Sequence, residues 1–314
     1  MFLYKDFLLF LLNKVMKIIL DKRMPKAKVN GIIIEYEIIG DPNLKPLLLI
    51  AGLGSQLLAW SDEICEEFVE NGFFVIRYDN RDIGLSSKFG EAGIPDMMEI
   101  AASYNRGEKP ILPYTLEDMA DDAVGLLNAL NINKVHICGA SMGGMIAQII
   151  AYRYPSRVLS LNIIMSTTGN PSLPQGKPEI MAKFFAPIPS EREAYIEEMV
   201  KRDKLITGNY VYDEEKGREY RIKEYDRSYY PEGIARQMAA MALPGNIQPK
   251  ISAIKAPTLV IHGKEDPFNS IEAAKEIAST IPGAELLLLD GMGHSFPKEL
   301  IPQIINAIIE NSEQ

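Results

Sequence analysis

From Ala27 onward the chain alternates between short runs rich in Val, Ile and Leu and longer stretches in which apolar residues recur at helical spacing. The runs are Ile32 to Ile39, Pro46 to Ile50, Phe73 to Tyr78, Lys134 to Gly139, Val158 to Met165, Pro257 to His262 and Ala284 to Asp290. Helical spacing covers Trp60 to Asn71, Leu116 to Leu130, Met142 to Tyr152, Ile271 to Ile281 and Ile301 to Glu310. Strands of this kind interleaved with amphipathic helices predict an α/β protein, a mostly parallel, twisted sheet flanked by helices. Local punctuation agrees. Thr115 is placed to cap a helix together with Asp118, Pro155 closes another, and Pro282-Gly283 ends a third.

Two stretches depart from the alternation. Residues 170–245 contain no strand-like run, carry dense mixed charge such as Asp213-Glu214-Glu215-Lys216, and hold seven of the 14 tyrosines. They are expected to form a helical cap inserted between two strands of a core made of residues 25–169 and 246–314. Residues 1–24 are expected to be an extension outside the fold. Their apolar run, Phe7 to Leu12, is too short to span a bilayer, which takes roughly 20 residues. No small-residue cleavage site follows it. On a helical wheel Leu8, Leu11, Leu12, Val15, Ile18 and Ile19 oppose Asp6, Asn13, Lys14, Lys17 and Asp21. That pattern leaves a helix docked on the fold, or one lying on a membrane surface, as the other readings.

With 314 residues, 47% of them hydrophobic, the chain can bury one large core. The net charge of −9 argues against a nucleic-acid surface, which needs clustered Lys and Arg. Cys65 and Cys138 both lie in apolar periodic segments, which fits buried thiols in a reducing compartment, and a cytoplasmic location is expected. The spacing of His136, His262 and His294 suggests no metal site.

The candidate chemistry centres on Gly139-Ala140-Ser141-Met142-Gly143, which joins a predicted strand to a predicted helix through Gly-x-Ser-x-Gly. Such a turn is so sharp that the serine is strained and projects from the sheet edge, and the flanking glycines let strand and helix approach. The bland alternative is a glycine turn with an N-capping serine. A nucleophilic Ser141 needs a base. His136 sits mid-strand and reads as a core imidazole, His262 ends a strand and reads as structural, and His294 follows the last strand in the turn Asp290-Gly291-Met292-Gly293-His294, so His294 is the expected base. Asp266, after the penultimate strand, is the expected acid that orients it, in the order Ser141, Asp266, His294. Glu265 and Asp290 are weaker rivals, Asp290 being expected to brace the His294 loop. The oxyanion donors are expected to be the Met142 N–H and, from Ala51-Gly52-Leu53-Gly54-Ser55, the Leu53 N–H.

From about Lys26 to Ile309 the chain resembles the α/β-hydrolase family, and within it the serine esterases grouped with aclacinomycin methylesterase. The resemblance is carried by Ala51-Gly52-Leu53-Gly54 with Trp60, by Arg77 to Ser87, by Asp118-Met119-Ala120-Asp121-Asp122, and by the elbow. It continues in Tyr225-Asp226-Arg227, Pro231-Glu232-Gly233, Gly263 to Asp266 and Gly293-His294. It implies that 170–245 is a cap over the site and that Leu53 and Met142 take the oxyanion roles. Ala51 departs from the His-Gly of many relatives and removes a side chain that often braces that loop. Asp79 and Arg81 are expected to fix loops around the site.

The expected activity is hydrolysis of a carboxylic ester through an acyl-enzyme, with no cofactor, on a small-molecule ester. Lactone or carbon–carbon bond hydrolysis, acyl transfer and perhydrolysis remain open on the same residues, as does a ligand-binding protein with little turnover. Tyr210, Tyr212, Tyr220, Tyr225, Tyr229 and Tyr230, with Met238 and Met241, are expected to supply an aromatic roof, some of the rings forming the cap's own core.

Overall fold

Every apolar run picked out above is a strand in the computed structural model, which describes residues 25–108, 110–184, 186–242 and 246–314. The strands are β1 Lys26–Val29, β2 Ile32–Ile39, β3 Lys45–Ile50, β4 Phe73–Tyr78, β5 Val135–Ala140, β6 Val158–Ile164, β7 Thr258–Gly263 and β8 Glu285–Leu289. They form one sheet in the order β1-β2-β4-β3-β5-β6-β7-β8. The first two pairings are antiparallel and the rest parallel.

The helices are α1 Asp62–Glu70, α2 Met97–Asn105, α3 Leu116–Ala129, α4 Met142–Arg153, α5 Pro178–Phe184, α6 Arg192–Ile206, α7 Glu214–Arg227, α8 Pro231–Ala242, α9 Gln248–Ile251, α10 Ile271–Thr280 and α11 Ile301–Asn311. Successive strand residues point to opposite faces, and both faces are covered. Leu48, Ile50, Phe74 and Ile76 pack against apolar residues of α3, α4 and α10. Their neighbours Leu47, Leu49, Phe73 and Val75 pack against α1 and α11. This is why β4, β5 and β7 are buried at every position. The predicted cap of α3 is present as a reciprocal pair of bonds between Thr115 and Asp118.

Three elements escaped the pattern, the four-residue α9 among them. The strand β1 alternates Lys with Ala and Val and buries only every second residue, so it offers no apolar run. The helix α2 holds few apolar residues that reach the core. Between β6 and β7 the described chain forms α5 to α9, with no strand among them. Residues 1–24 lie outside the described residues. Among the described residues no helix is long and apolar enough to cross a membrane.

Parallel strands send their C-terminal ends to one edge of the sheet. The loops after β3, β5, β7 and β8 therefore meet there, and these are the loops bearing Leu53, Ser141, Asp266 and His294. The chain reverses its order of strands at β3, between β4 and β5, the position at which open α/β sheets leave a crevice.

Candidate active site

Strand β5 ends at Ala140 and α4 begins at Met142, so the reversal falls on Ser141, whose backbone is left-handed at φ 55°. That conformation costs roughly 1–3 kcal/mol for a residue with a side chain and persists only where the surroundings impose it. They do so here. Ser141 N donates to Ile164 O at 2.9 Å, and Ser166 Oγ donates to Ser141 O at 2.8 Å. A Cβ on Gly139 would sit 2.2 Å from Gly143 O, and one on Gly143 2.2 Å from Ile50 O, so only glycine fits at either. The Ser141 hydroxyl makes no capping bond to α4, so it is not spent on ending the helix.

After β7 the chain turns at Asp266, whose side chain is fully buried. Its Oδ1 accepts from Phe268 N at 2.8 Å and Asn269 N at 3.0 Å, while Oδ2 accepts from His294 Nδ1 at 2.8 Å. Burial pushes the carboxyl up, but the charge and hydrogen bond of His294, the nearby His262 and the Asn269 N–H outweigh it, and Asp266 lies below its ordinary pKa. An ionised carboxylate can only accept, so Nδ1 carries a proton and Nε2 is the ring nitrogen left to face the site. Nε2 makes no hydrogen bond among the described residues, and Ser141 Oγ is not bonded to it in this conformation.

The other candidates have other partners, although His262 lies beside the pair, its Nε2 3.7 Å from Asp266 Oδ2. His136 is buried in β5 against Ser160 Oγ at 2.9 Å. His262 is buried in β7, its Nε2 donating to Asn269 O at 3.0 Å, and burial lowers its pKa. Asp290 is exposed and pairs with Lys264 at 2.7 Å, joining the loops after β7 and β8. Cys65 and Cys138 are buried and free, and burial pushes the Cys65 thiol up to about 12.

In the loop after β3, Gly52 O accepts from Ser55 N at 3.2 Å. The peptides of the described residues are trans, so the Leu53 N–H in the same plane points the opposite way, and it meets no acceptor among the described residues. The Met142 N–H is the first of α4 and has no intrahelical partner, at the positive end of the helix dipole. Arg77 to Ser87 holds these loops in place. Asp79 accepts from Leu57 N at 2.7 Å and Leu85 N at 2.8 Å, and Arg81 grips Asp122 through Nε at 2.6 Å and Nη2 at 2.8 Å.

Comparison with known proteins gives this geometry a family. Residues 45–299 match the family model described as the alpha/beta hydrolase fold. The chain is an α/β hydrolase. It is similar to rhodomycin D methylesterase DauP of Streptomyces sp. (strain C5), 29% identical over 286 residues that cover 82% of this chain and 88% of that one. It is also similar to 3-oxoadipate enol-lactonase 2 of Acinetobacter baylyi, 24% identical over 88% of this chain and 91% of that protein. Among solved structures, the enol-lactonase of Burkholderia xenovorans LB400 superposes with a TM-score of 0.69 at 23% identity, covering 92% of this chain and all 100% of that one.

The tyrosines of the insertion in this α/β hydrolase are engaged with one another and with charged and backbone partners, as expected for rings that form the insertion's own core. Tyr225 and Tyr229 stack on each other, Tyr229 meets Tyr195 edge-on and Tyr225 meets it at a tilt, Tyr212 donates to Asp203 at 3.1 Å, and Tyr220 donates to Glu224 at 3.1 Å. Tyr230 accepts from Arg236 at 2.9 Å, and Tyr210 donates to Asp290 O at 3.3 Å. Those rings hold the insertion together and tie it to the core. The ring that meets His294 among the described residues is a phenylalanine. Phe268 meets the His294 imidazole edge to face at 4.9 Å, and Phe184 from α5 meets Phe268 at 4.6 Å. Ile234 and Gln237 of α8 reach the Gly54 end of the Leu53 loop. Phe268 could have been noticed from its place two residues after Asp266, whereas nothing in the sequence around Phe184, Ile234 or Gln237 sets them apart.

Proposed function

We propose that this hydrolase cleaves carboxylic esters of small, compact molecules through an acyl-enzyme on Ser141. The observation that carries the reading is the buried Asp266–His294 hydrogen bond, 2.8 Å long, at the sheet edge where the strained, uncapped Ser141 ends β5. The names of the relatives, a methylesterase and an enol-lactonase, support ester chemistry.

In the first half of the reaction Ser141 Oγ bonds to the ester carbonyl carbon while His294 Nε2 takes the hydroxyl proton. The Nδ1–H stays on Asp266, whose charge stabilises the imidazolium. Negative charge gathers on the carbonyl oxygen, where the Leu53 and Met142 N–H groups are the donors. As the intermediate collapses, the C–O bond to the alcohol breaks and His294 returns its proton to the leaving oxygen. Water then repeats the sequence on the acyl group, giving the acid and restoring Ser141. The Phe268 ring against His294, with Phe184 packed against that ring, gives the imidazole apolar surroundings, which strengthens each electrostatic contact.

Ser141→Ala and His294→Ala are each expected to lower kcat by about 10⁶-fold, and Asp266→Asn by about 10⁴-fold. Turnover of p-nitrophenyl acetate and labelling by a fluorophosphonate probe measure this. Ester turnover near the wild-type rate in purified Ser141→Ala would remove the mechanism.

A further inference from the structure

We propose that Gln237, on a helix of the insertion, is a positioning residue of the oxyanion hole, holding the Gly52–Ser55 loop so that the Leu53 N–H faces the reacting carbonyl. The inference rests on the reading of Leu53 given above and adds a residue that touches no reacting atom. Gln237 is fully buried in α8, and both ends of its amide are engaged across 156 to 183 residues of sequence. Its Oε1 accepts from Gly54 N at 3.0 Å, and its Nε2 donates to Arg81 O at 2.8 Å. A buried amide with both bonds made has one orientation, because turning it would orphan a donor and an acceptor.

The effect on Leu53 follows from two consecutive peptide planes. Ser55 N fixes the plane between Gly52 and Leu53 by donating to Gly52 O, and Gln237 fixes the next plane by accepting from Gly54 N. The Leu53 N–H lies in the first of these planes, and with the second also held that plane cannot turn about the Leu53 Cα, so the N–H keeps its direction. Ile234, one turn earlier on α8, closes the same side. A Cβ on Gly54 would lie 3.2 Å from Ile234 Cδ1. Apart from Leu53 the loop's own residues are small, so the rigidity an oxyanion donor needs is imported from the insertion.

The test compares Gln237→Met, similar in length but without either bond, and Gln237→Glu, which keeps an acceptor for Gly54 N and loses the donor to Arg81 O. Gln237→Met should lower kcat on the order of 10- to 100-fold, with KM changed by no more than about threefold. Inhibition by a trifluoromethyl ketone, whose hemiketal oxygen occupies the oxyanion position, should weaken by the same factor as kcat/KM. Gln237→Glu should fall between Met and wild type, and it carries the comparison if the Met variant does not fold. Unchanged kcat in a folded Gln237→Met protein overturns the proposal. So does a loss of melting temperature with ketone affinity intact, since that describes a packing residue. Failure of the acyl-enzyme reading is seen separately, as turnover that survives Ser141→Ala.

Discussion

His136 shows how surroundings decide what an imidazole does. It lies inside β5 with Ser160 Oγ as its hydrogen-bond partner, and burial, helped by the charge of Lys45, pulls its pKa down to about 4 from an ordinary 6.5. Between those values the unfolded chain holds a proton that the folded chain does not. The stability contributed by the neutral imidazole is therefore complete above pH 6.5 and is lost as the pH falls toward 4. His136→Asn, whose amide can reach the place of Nδ1 without titrating, should flatten that limb. Melting temperatures recorded from pH 7 to pH 4 should fall less steeply in the variant than in the wild type, and parallel curves would show that His136 does not govern acid sensitivity. His294, by contrast, has a buried carboxylate on Nδ1 and an open Nε2, an arrangement that favours a base.

The C-terminal end of α6 does more than close a helix of the insertion. His294 N donates to Ile206 O at 2.7 Å, Gly293 N to Thr207 O at 3.2 Å, and Asn209 N to Gly291 O at 2.8 Å. The turn after α6 and the loop after β8 thus form a short antiparallel bridge, Gly208 facing Met292. Gly208 has φ 84°, and a Cβ there would lie 2.4 Å from Gly291 O and 2.5 Å from Gly293 N. Gly208→Ala must therefore push the His294 loop away from its bonds. Its kcat should fall by at least about tenfold, since displacement of a catalytic group by an ångström is costly. Gly283→Ala is the control. Its φ of 74° carries the same backbone strain, but nothing lies within 4 Å of the added methyl, so its kcat should stay near wild type. Equal losses in the two variants would mean that the bridge has no part in placing His294.

At the scale of the whole molecule, the insertion is bound to the core by buried charge as well as by backbone. Arg236 of α8 grips Asp82 through two bonds of 2.7 and 3.0 Å, and Arg227 of α7 pairs with Asp79 at 2.8 Å. Ion pairs this well buried resist separation, because parting them leaves a charge without solvent. Val211 is the exposed large hydrophobic among the described residues of the insertion, so that surface has no apolar stripe with which to adsorb to lipid. The net charge of −9 also opposes approach to anionic bilayers. With Phe268 against His294 and Ile234 against Gly54, compact acyl groups are the expected substrates of the reaction proposed above. Across p-nitrophenyl esters, kcat/KM should be larger for acetate to hexanoate than for palmitate. A preference for palmitate, with a rise in rate above its solubility limit, would mark an interfacial lipase instead.

Strand and helix content, the strand-to-helix turn at Ser141 and the placing of Asp266 and His294 in the loops after the last two strands were legible in the sequence because each rests on local physics. Burial on both faces makes β4, β5 and β7 continuous apolar runs, and glycines at 139 and 143 are demanded by contacts a few residues away or across one strand. The structural roles read for His136 and His262 followed from the same local position within strands. What the tertiary structure alone decided is which distant groups meet. The six tyrosines looked like a pocket lining by composition, yet Asp203, Glu224, Arg236 and the Asp290 carbonyl take the hydroxyls of four of them, and no periodicity reveals such partners. Gln237 reads as an ordinary helical glutamine until α8 sets it against Gly54, 183 residues away. Long-range hydrogen bonds between buried polar groups depend on how whole elements pack, because a partner's identity matters less to the chain than its arrival at 3 Å with the right lone pair.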